Sequence, residues 1–272
     1  PDMVYTKEQI ENIKSYNRQI KTIENFAEAV RKTVTQYLGY TGNKGFINMI
    51  REIFQNSADE LMKDDSPCTE IHVAFSEPLQ ELAVRDNGRG IPHDSLVRVF
   101  ASQHTSSNYD KKPGEFSSGR HGVGAKVTNA CSEYFIVESY ILGKGKRVEF
   151  KLGDAKTAKI TDLKYVENKQ GTTVTFKPYE ETMGKTTVTC QDVLKLIKSL
   201  VPLLKQGAKV VFNGQAIDGA KVKETIVNVD GLMDGLNTIV SKPIITPIRF
   251  GALRDDKWMK AEIAFTFDSA DD

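Results

Sequence analysis

Cysteine is scarce in this chain of 272 residues. Cys68, Cys131 and Cys190 are odd in number, far apart and form no CxxC pair. That excludes a disulfide framework or a compact zinc site and implies a reducing, intracellular setting, cytoplasm or nucleoid. Long apolar runs are missing too. No stretch approaches the ~18 residues that a membrane span requires, and no signal peptide opens the chain, so no membrane partner is expected. Charge of one sign is equally lacking: 37 Lys and Arg face 36 Asp and Glu, for a formal net charge of +1. A strong electrostatic footprint for nucleic acid is therefore absent, and any main grip on it lies elsewhere. Repeats and low-complexity linkers are absent as well. What remains, 39% hydrophobic residues with few aromatics, is ordinary for a globular protein.

Periodicity supplies the elements. Ile10, Ile13, Ile20, Ile23, Phe26, Val30 and Val34 recur at mostly three- and four-residue spacing, which predicts a helix over 7–38. The stretch GYTGNKG (39–45) reads as a glycine-marked loop before a second helix over roughly 45–63. Alternation at Ile71, Val73 and Phe75, and again at Leu82 and Val84, predicts two short strands. A helix over about 123–131 leads into the strand SEYFIVESYIL, and further strands are expected at 146–152, 158–166, 171–177 and 209–214. A helix over 190–205 carries Val193, Leu194, Ile197, Leu200, Val201 and Leu204 on one face. Strand and helix do not alternate regularly, so the fold class is α+β, a two-layer α/β sandwich, rather than a doubly wound parallel sheet. From about 225 a second unit begins with the helix DGLMDGLNTIV and the strand KAEIAFTF. It stops almost at once, and Pro1 stands where Met would open a chain, so both ends read as cut. The expected domains are 1–224, with an N-terminal helical extension, and an incomplete 225–272.

Four segments carry chemistry. In FINMIREIFQNSADELM (46–62), Ile50, Phe54 and Leu61 give an apolar side, while Asn48, Glu52, Asn56 and Asp59 form a polar stripe along one helix face. A carboxylate and a carboxamide one turn apart can polarise a water and ligate Mg²⁺, although such a stripe alone is more often a solvated face. RDNGRGIP (85–92) follows a strand. There Asp86 can accept from an exocyclic amine, and Gly88 and Gly90 allow close approach or positive φ. Taken alone it is equally a good turn sequence. In SSGRHGVGAKVTNA (117–130) glycines open a helix beside Arg120, His121 and Lys126, an arrangement better suited to phosphate than to packing alone. It fits neither a Walker A nor a GxGxxG pattern. GTTVTF (171–176) opens a strand with Gly-Thr, which could bring a hydroxyl to phosphate or purine.

In this order the segments resemble the GHKL superfamily, whose members include gyrase, mismatch-repair ATPases, heat-shock chaperones and histidine kinases. Glu52-x-x-x-Asn56, Asp86-x-Gly88-x-Gly90 and Gly119 to Gly124 stand for its first three motifs. Within it, EIFQNSADE and GRHGVGAKVTNACS are similar to type IIA DNA topoisomerases. HTSSNYD (104–110) is similar to the eukaryotic enzymes, and GLMDGLNTIVSKPIITPIRF to the start of a transducer domain. RKTVTQYLGYTGNKG lacks the Pro-Gly pair of gyrase, which puts contacts from that stretch in doubt. His121 and Val123 look bacterial, whereas Ser106, Ser107, Asn108 and Lys126 look eukaryotic, a mixture that suits a phage or viral enzyme.

The resemblance implies a Bergerat fold with a mixed sheet, binding ATP and Mg²⁺. Glu52 would be the catalytic base, Asn56 the metal ligand, and Asp59 a further nucleotide-site residue. Asp86, Gly90, Ile91 and Thr172 would surround the purine, and Ser106, Ser107 and Asn108 would meet ribose or phosphate. Gly122, Val123, Gly124 and Ala125 would offer N–H groups to the phosphates, with Arg120, His121 and Lys126 beside them. It also implies an ATP-dependent homodimer and a breakage-reunion domain or subunit carrying the tyrosine nucleophile. Double-stranded DNA would be held mainly through domains outside this chain, and a transducer lysine would lie beyond Asp272. A mismatch-repair or chaperone-type clamp, or a module that binds ATP without turnover, are the alternatives.

Overall fold

The computed structural model describes residues 26–101, 123–233, 236, 248–253 and 260–266. Outside them lie Ser106, Ser107, Asn108, Arg120, His121 and Gly122, the first part of the helix expected over 7–38, and most of the helix expected from 230.

Alternation of apolar and polar residues dictates the central layer. The strands β1 (Glu70–Ser76), β2 (Glu81–Asp86), β3 (Ser132–Ile141), β4 (Lys144–Lys151), β5 (Lys159–Leu163), β6 (Gly171–Pro178), β7 (Lys209–Gln215) and β8 (Lys221–Val227) form one sheet in the order β5-β4-β3-β6-β2-β1-β7-β8. Only β1 and β7 pair in parallel, so the sheet is mixed. Register explains why one face is apolar. Val148, Val137, Val174, Val84, Val73 and Phe212 are successive cross-strand partners, and all are buried. The adjacent row, Arg147, Glu138, Thr173, Arg85, His72 and Val211, points to the other face. A one-residue slip would exchange the two rows, so the pattern holds the register.

Helices cover the apolar face. The long helix α3 (Gly42–Met62), which follows α1 (Phe26–Lys32) and α2 (Val34–Leu38), buries Phe46, Met49, Ile50, Ile53, Phe54 and Leu61. Phe46 meets Phe75 of β1 and Phe176 of β6, tying three elements into one core. Burial of each such ring contributes about 2–3 kcal/mol. Two short helices, α4 (Leu96–Ala101) and α5 (Gly124–Ala130), lie against one another, with α5 also packed on α3, and α6 (Glu180–Met183) follows β6. The helix α7 (Cys190–Leu200) opens with a Thr189–Asp192 capping box and ends where Pro202, lacking an N–H, turns the chain into a 3₁₀ segment. Downstream, β9 (Ile248–Leu253) and β10 (Lys260–Phe265) form a separate antiparallel pair.

The expected α+β sandwich with a mixed sheet is therefore present, with local differences. Thr33, in a β-branched Thr-Val-Thr run, separates α1 from α2 within the helix expected to be continuous. α3 starts at Gly42, inside the stretch read as loop, and Gly45 in its first turn packs where a side chain would meet the Tyr40 carbonyl. The helices α4 and α6 and the strand β8 were not expected. β8 crosses the expected 224/225 boundary and pairs with β7 as far as Val227. Among the described residues no helix is long and apolar enough to cross a membrane.

Candidate functional site

Asp86 ends β2 on the inward side of the sheet, in step with Leu82 and Val84, so strand geometry alone drives its carboxylate into the core layer. It is 6% exposed. Burial raises its pKa above the ordinary value, against three hydrogen bonds that favour the ionised form. Gly88 N donates to Oδ1 at 3.0 Å, Thr172 N donates to Oδ1 at 3.2 Å, and Ser57 Oγ donates to Oδ2 at 3.0 Å. A carboxylate offers about four lone-pair positions, so one is left, on Oδ2. A buried acceptor with one open position can read a single N–H of a ligand. Thr172 thus contributes its backbone N–H to Asp86, a role its residue type does not announce.

The turn after β2 is held from two sides. Ile91 N donates to Ser139 Oγ at 2.8 Å, and Ser139 Oγ donates back to Ile91 O at 2.8 Å, so the Ile91 backbone is spent on β3. Gly90 adopts φ +77°, the left-handed conformation anticipated for it. On the α3 side, Arg89 Nε and Arg89 N both donate to Glu60 Oε1, at 2.9 and 3.0 Å, and Arg89 Nη2 reaches Glu60 Oε2 at 3.1 Å. Ser66 Oγ adds a fourth donor at 2.7 Å.

Burial would raise the Glu60 pKa, but the Arg89 and Ser66 hydrogen bonds and the Arg89 charge outweigh it and hold the carboxyl at about 2. Such a group binds its proton more weakly folded than unfolded. It stabilises the fold fully above the ordinary value of 4.5 and loses that contribution as pH falls from there towards about 2. Solvent reaches Arg89, so the contribution is on the order of 2 kcal/mol rather than the whole shift. Urea unfolding of Glu60→Gln should show that deficit at pH 7 and a shrinking one between pH 5 and pH 3. A deficit constant with pH would mean that ionisation of Glu60 is not its source.

One and two turns before Glu60, the same helix presents the expected stripe. Asn56 is exposed and Asp59 half-buried. Asn48 drops out, because its Nδ2 donates to Leu38 O at 3.0 Å and ties α3 to α2. Glu52 is half-buried, and burial is the main cause that lifts its pKa. Arg51 opposes the shift and Asp59 adds to it. Its carboxylate lies against the start of α5: a Cβ placed on Gly124 would stand 1.7 Å from Glu52 Oε2. Val127 N donates to Val123 O at 2.9 Å as α5 begins, and the opening N–H groups of a helix have no acceptor within its own turns. Val123, at the cap, has no side-chain capping bond, and Ala125 is half-buried. Lys126 is 3% exposed, and burial lowers its pKa.

The structure thus brings together Glu52 with Gly124, and Asp86 with Thr172 and Gly88, at the two ends of one stretch of α3. A half-buried carboxylate stands at one end and a buried one at the other. Sequence reasoning missed Ser57, Ser139, Gly171 and the Glu60–Arg89 pair. The signal for Ser57 was a serine on the inward side of an otherwise apolar helix face. A cavity of about 440 Å³ lies elsewhere, across the open face of the sheet around Ala74, Ala83 and Asn213, and touches none of these residues.

Residues 43–182 match the family described as histidine kinase-, DNA gyrase B- and HSP90-like ATPase. The chain is 32% identical over 206 residues to DNA gyrase B of Thermus thermophilus, covering 73% of this chain and 32% of that protein. Over 277 residues it is 28% identical to DNA gyrase B of Helicobacter pylori, covering 97% of this chain and 34% of the relative. The 43K ATPase domain of Thermus thermophilus gyrase B, solved with an aminocoumarin, superposes with a TM-score of 0.68 at 27% identity, covering 84% of this chain and 59% of that one. The chain spans about a third of the length of these curated relatives. Family match and fold agree: the chain belongs to the histidine kinase-, DNA gyrase B- and HSP90-like ATPases.

Proposed function

We propose that this chain is the ATP-binding and ATP-hydrolysing part of a type IIA DNA topoisomerase. The observation that carries the reading is Asp86, a buried carboxylate with one open acceptor position, bonded through Ser57 to the same helix α3 whose Glu52 lies against the start of α5. Asp86 accepts one N–H of the adenine amine. Gly90 and Ile91 shape the wall beside it, and Thr172 holds Asp86 in place. The N–H groups of Val123, Gly124 and Ala125 lie towards the phosphates. Glu52 orients or deprotonates the attacking water, and its raised pKa makes it a stronger base than a free carboxylate. Roles for Ser106, Ser107 and Asn108 at ribose or phosphate, and for Arg120, His121 and Gly122 in the anion cradle, rest on the sequence motifs.

Asn56 fits Mg²⁺ by its chemistry, a hard oxygen donor exposed one turn from Glu52. When bound, Mg²⁺ offsets phosphate charge. Asp59 supports this end of the site by raising the Glu52 pKa. Phosphoryl transfer needs little beyond such positioning and electrostatics.

In the full protein, ATP closes two such domains into a dimer on double-stranded DNA. The breakage-reunion domain or subunit supplies the tyrosine, and the setting is intracellular. What supports this is likeness to the gyrase B relatives and to the corresponding component of DNA topoisomerase 4 in Mycoplasma capricolum, 31% identical over 210 residues. We place the end of the ATPase domain after Val227, where pairing with β7 stops, rather than at 224. The following residues begin the transducer.

Calorimetry with a non-hydrolysable ATP analogue and Mg²⁺ tests the site. The unchanged chain should bind. Asp86→Asn should weaken binding by roughly 30- to 100-fold, the loss of a charge-assisted hydrogen bond in a buried place. Asn56→Ala should weaken it by about tenfold with Mg²⁺ and little with chelator present. No binding by the unchanged chain at millimolar nucleotide, or full binding by Asp86→Asn, would overturn the reading.

A further inference from the structure

Ser57 stands on the inward side of α3, one residue past Asn56 and 6% exposed. A serine in the middle of a helix commonly turns its hydroxyl back to a carbonyl one turn earlier. Here it reaches across to another element and donates to Asp86 Oδ2 at 3.0 Å. The other carboxylate oxygen is held by two backbone donors, Gly88 N and Thr172 N, which come from different strand ends. Among the described residues, backbone N–H groups fix Oδ1, and Ser57 alone fixes Oδ2.

We infer that Ser57 is a positioning residue that sets purine selectivity, by committing its hydroxyl hydrogen to Asp86 so that the pocket meets the base with an acceptor and no donor. The inference rests on the proposed role of Asp86 as reader of the base. A 6-aminopurine presents an exocyclic N–H to the open Oδ2 position. A 6-oxopurine presents an oxygen there, which faces a carboxylate oxygen without a hydrogen between them. Ser57 could serve that oxygen only by abandoning a buried carboxylate, which is costly. Without the hydroxyl, Oδ2 has two open positions, and a water can enter the space left by the serine oxygen. A water has two hydrogens, one for Asp86 and one for a 6-oxo group, so discrimination falls.

The experiment compares non-hydrolysable ATP and ITP analogues by calorimetry on the unchanged chain, Ser57→Ala, Ser57→Cys and Asp86→Asn. Alanine suits a helix, and cysteine fills nearly the volume of serine while donating weakly, so the pair separates hydrogen bonding from packing. The ATP-to-ITP affinity ratio should fall by about tenfold in both Ser57 variants, with both still folded at the temperature of the measurement. If Ser57→Cys keeps the original ratio, Ser57 acts by packing and the inference is overturned. If neither Ser57 variant changes the ratio while Asp86→Asn abolishes ATP binding, purine reading by Asp86 stands and the role of Ser57 falls. If Asp86→Asn binds ATP unchanged, the underlying reading falls and takes the inference with it.

Discussion

Glu52→Gln should bind an ATP analogue as tightly as the unchanged chain and lose turnover by roughly 10²- to 10⁴-fold, the span typical of a positioned general base. The substitution keeps volume and hydrogen-bonding reach and removes only basicity. Glu52 can carry that load because its carboxylate lies against Gly124 at the start of α5, where phosphates would lie, and because burial and Asp59 raise its pKa while Arg51 only partly opposes them. The sign matters. A raised pKa favours proton uptake, and it places the acid limb of the rate profile above the ordinary carboxylate value of 4.5. Phosphate release at saturating ATP, set beside calorimetric affinity, separates the two effects. Hydrolysis surviving in Glu52→Gln would remove Glu52 from the mechanism. Equal losses of affinity and turnover would instead make it a binding residue.

How much of this was legible beforehand depended on whether a feature lives in side-chain pattern or in backbone approach. Strands β1, β2, β3 and β6 could be read from alternation because each buries one face only, and the same alternation drives Asp86 inward. Glu52 and Asp86 stood out because acid, amide and glycine recur at short spacings. Glycine misled at the start of α3. Gly42 and Gly45 read as loop, yet Gly45 lies inside the helix, where the Tyr40 carbonyl leaves no room for a side chain. Polarity misled at Asn48, which belongs to the polar stripe by spacing but serves the Leu38 carbonyl. β8 escaped because an edge strand with lysines carries little apolar signal. The clamp between Glu60 and Arg89, and the donor to Asp86 from Thr172, join residues 29 and 86 positions apart, which no local pattern encodes.

Gly171→Ala should cost roughly 3 kcal/mol of stability or more, among the larger effects a single methyl can have. Gly171 opens β6 at φ +113°, outside the range comfortable for an L side chain, and a Cβ there would stand 2.1 Å from the Asp86 carbonyl oxygen and 2.9 Å from Asn87 Cα. Both obstacles are backbone, so relief requires moving β6 away from the end of β2. That movement also draws Thr172 N off Asp86 Oδ1, so nucleotide affinity should fall together with stability. Gly184 provides the comparison. It has φ +75° with nothing within 4 Å of an added Cβ, so Gly184→Ala meets conformational strain alone, about 1 kcal/mol. Urea midpoints at unchanged slope give both values, and their difference isolates the close approach of β6 to the Asp86 turn. Should Gly171→Ala prove no more destabilising than Gly184→Ala, β6 has slack at this point, and Thr172 is free to leave Asp86 without loss. If instead only the Gly171 variant loses both stability and nucleotide, the packing of two backbones holds the Asp86 carboxylate in place.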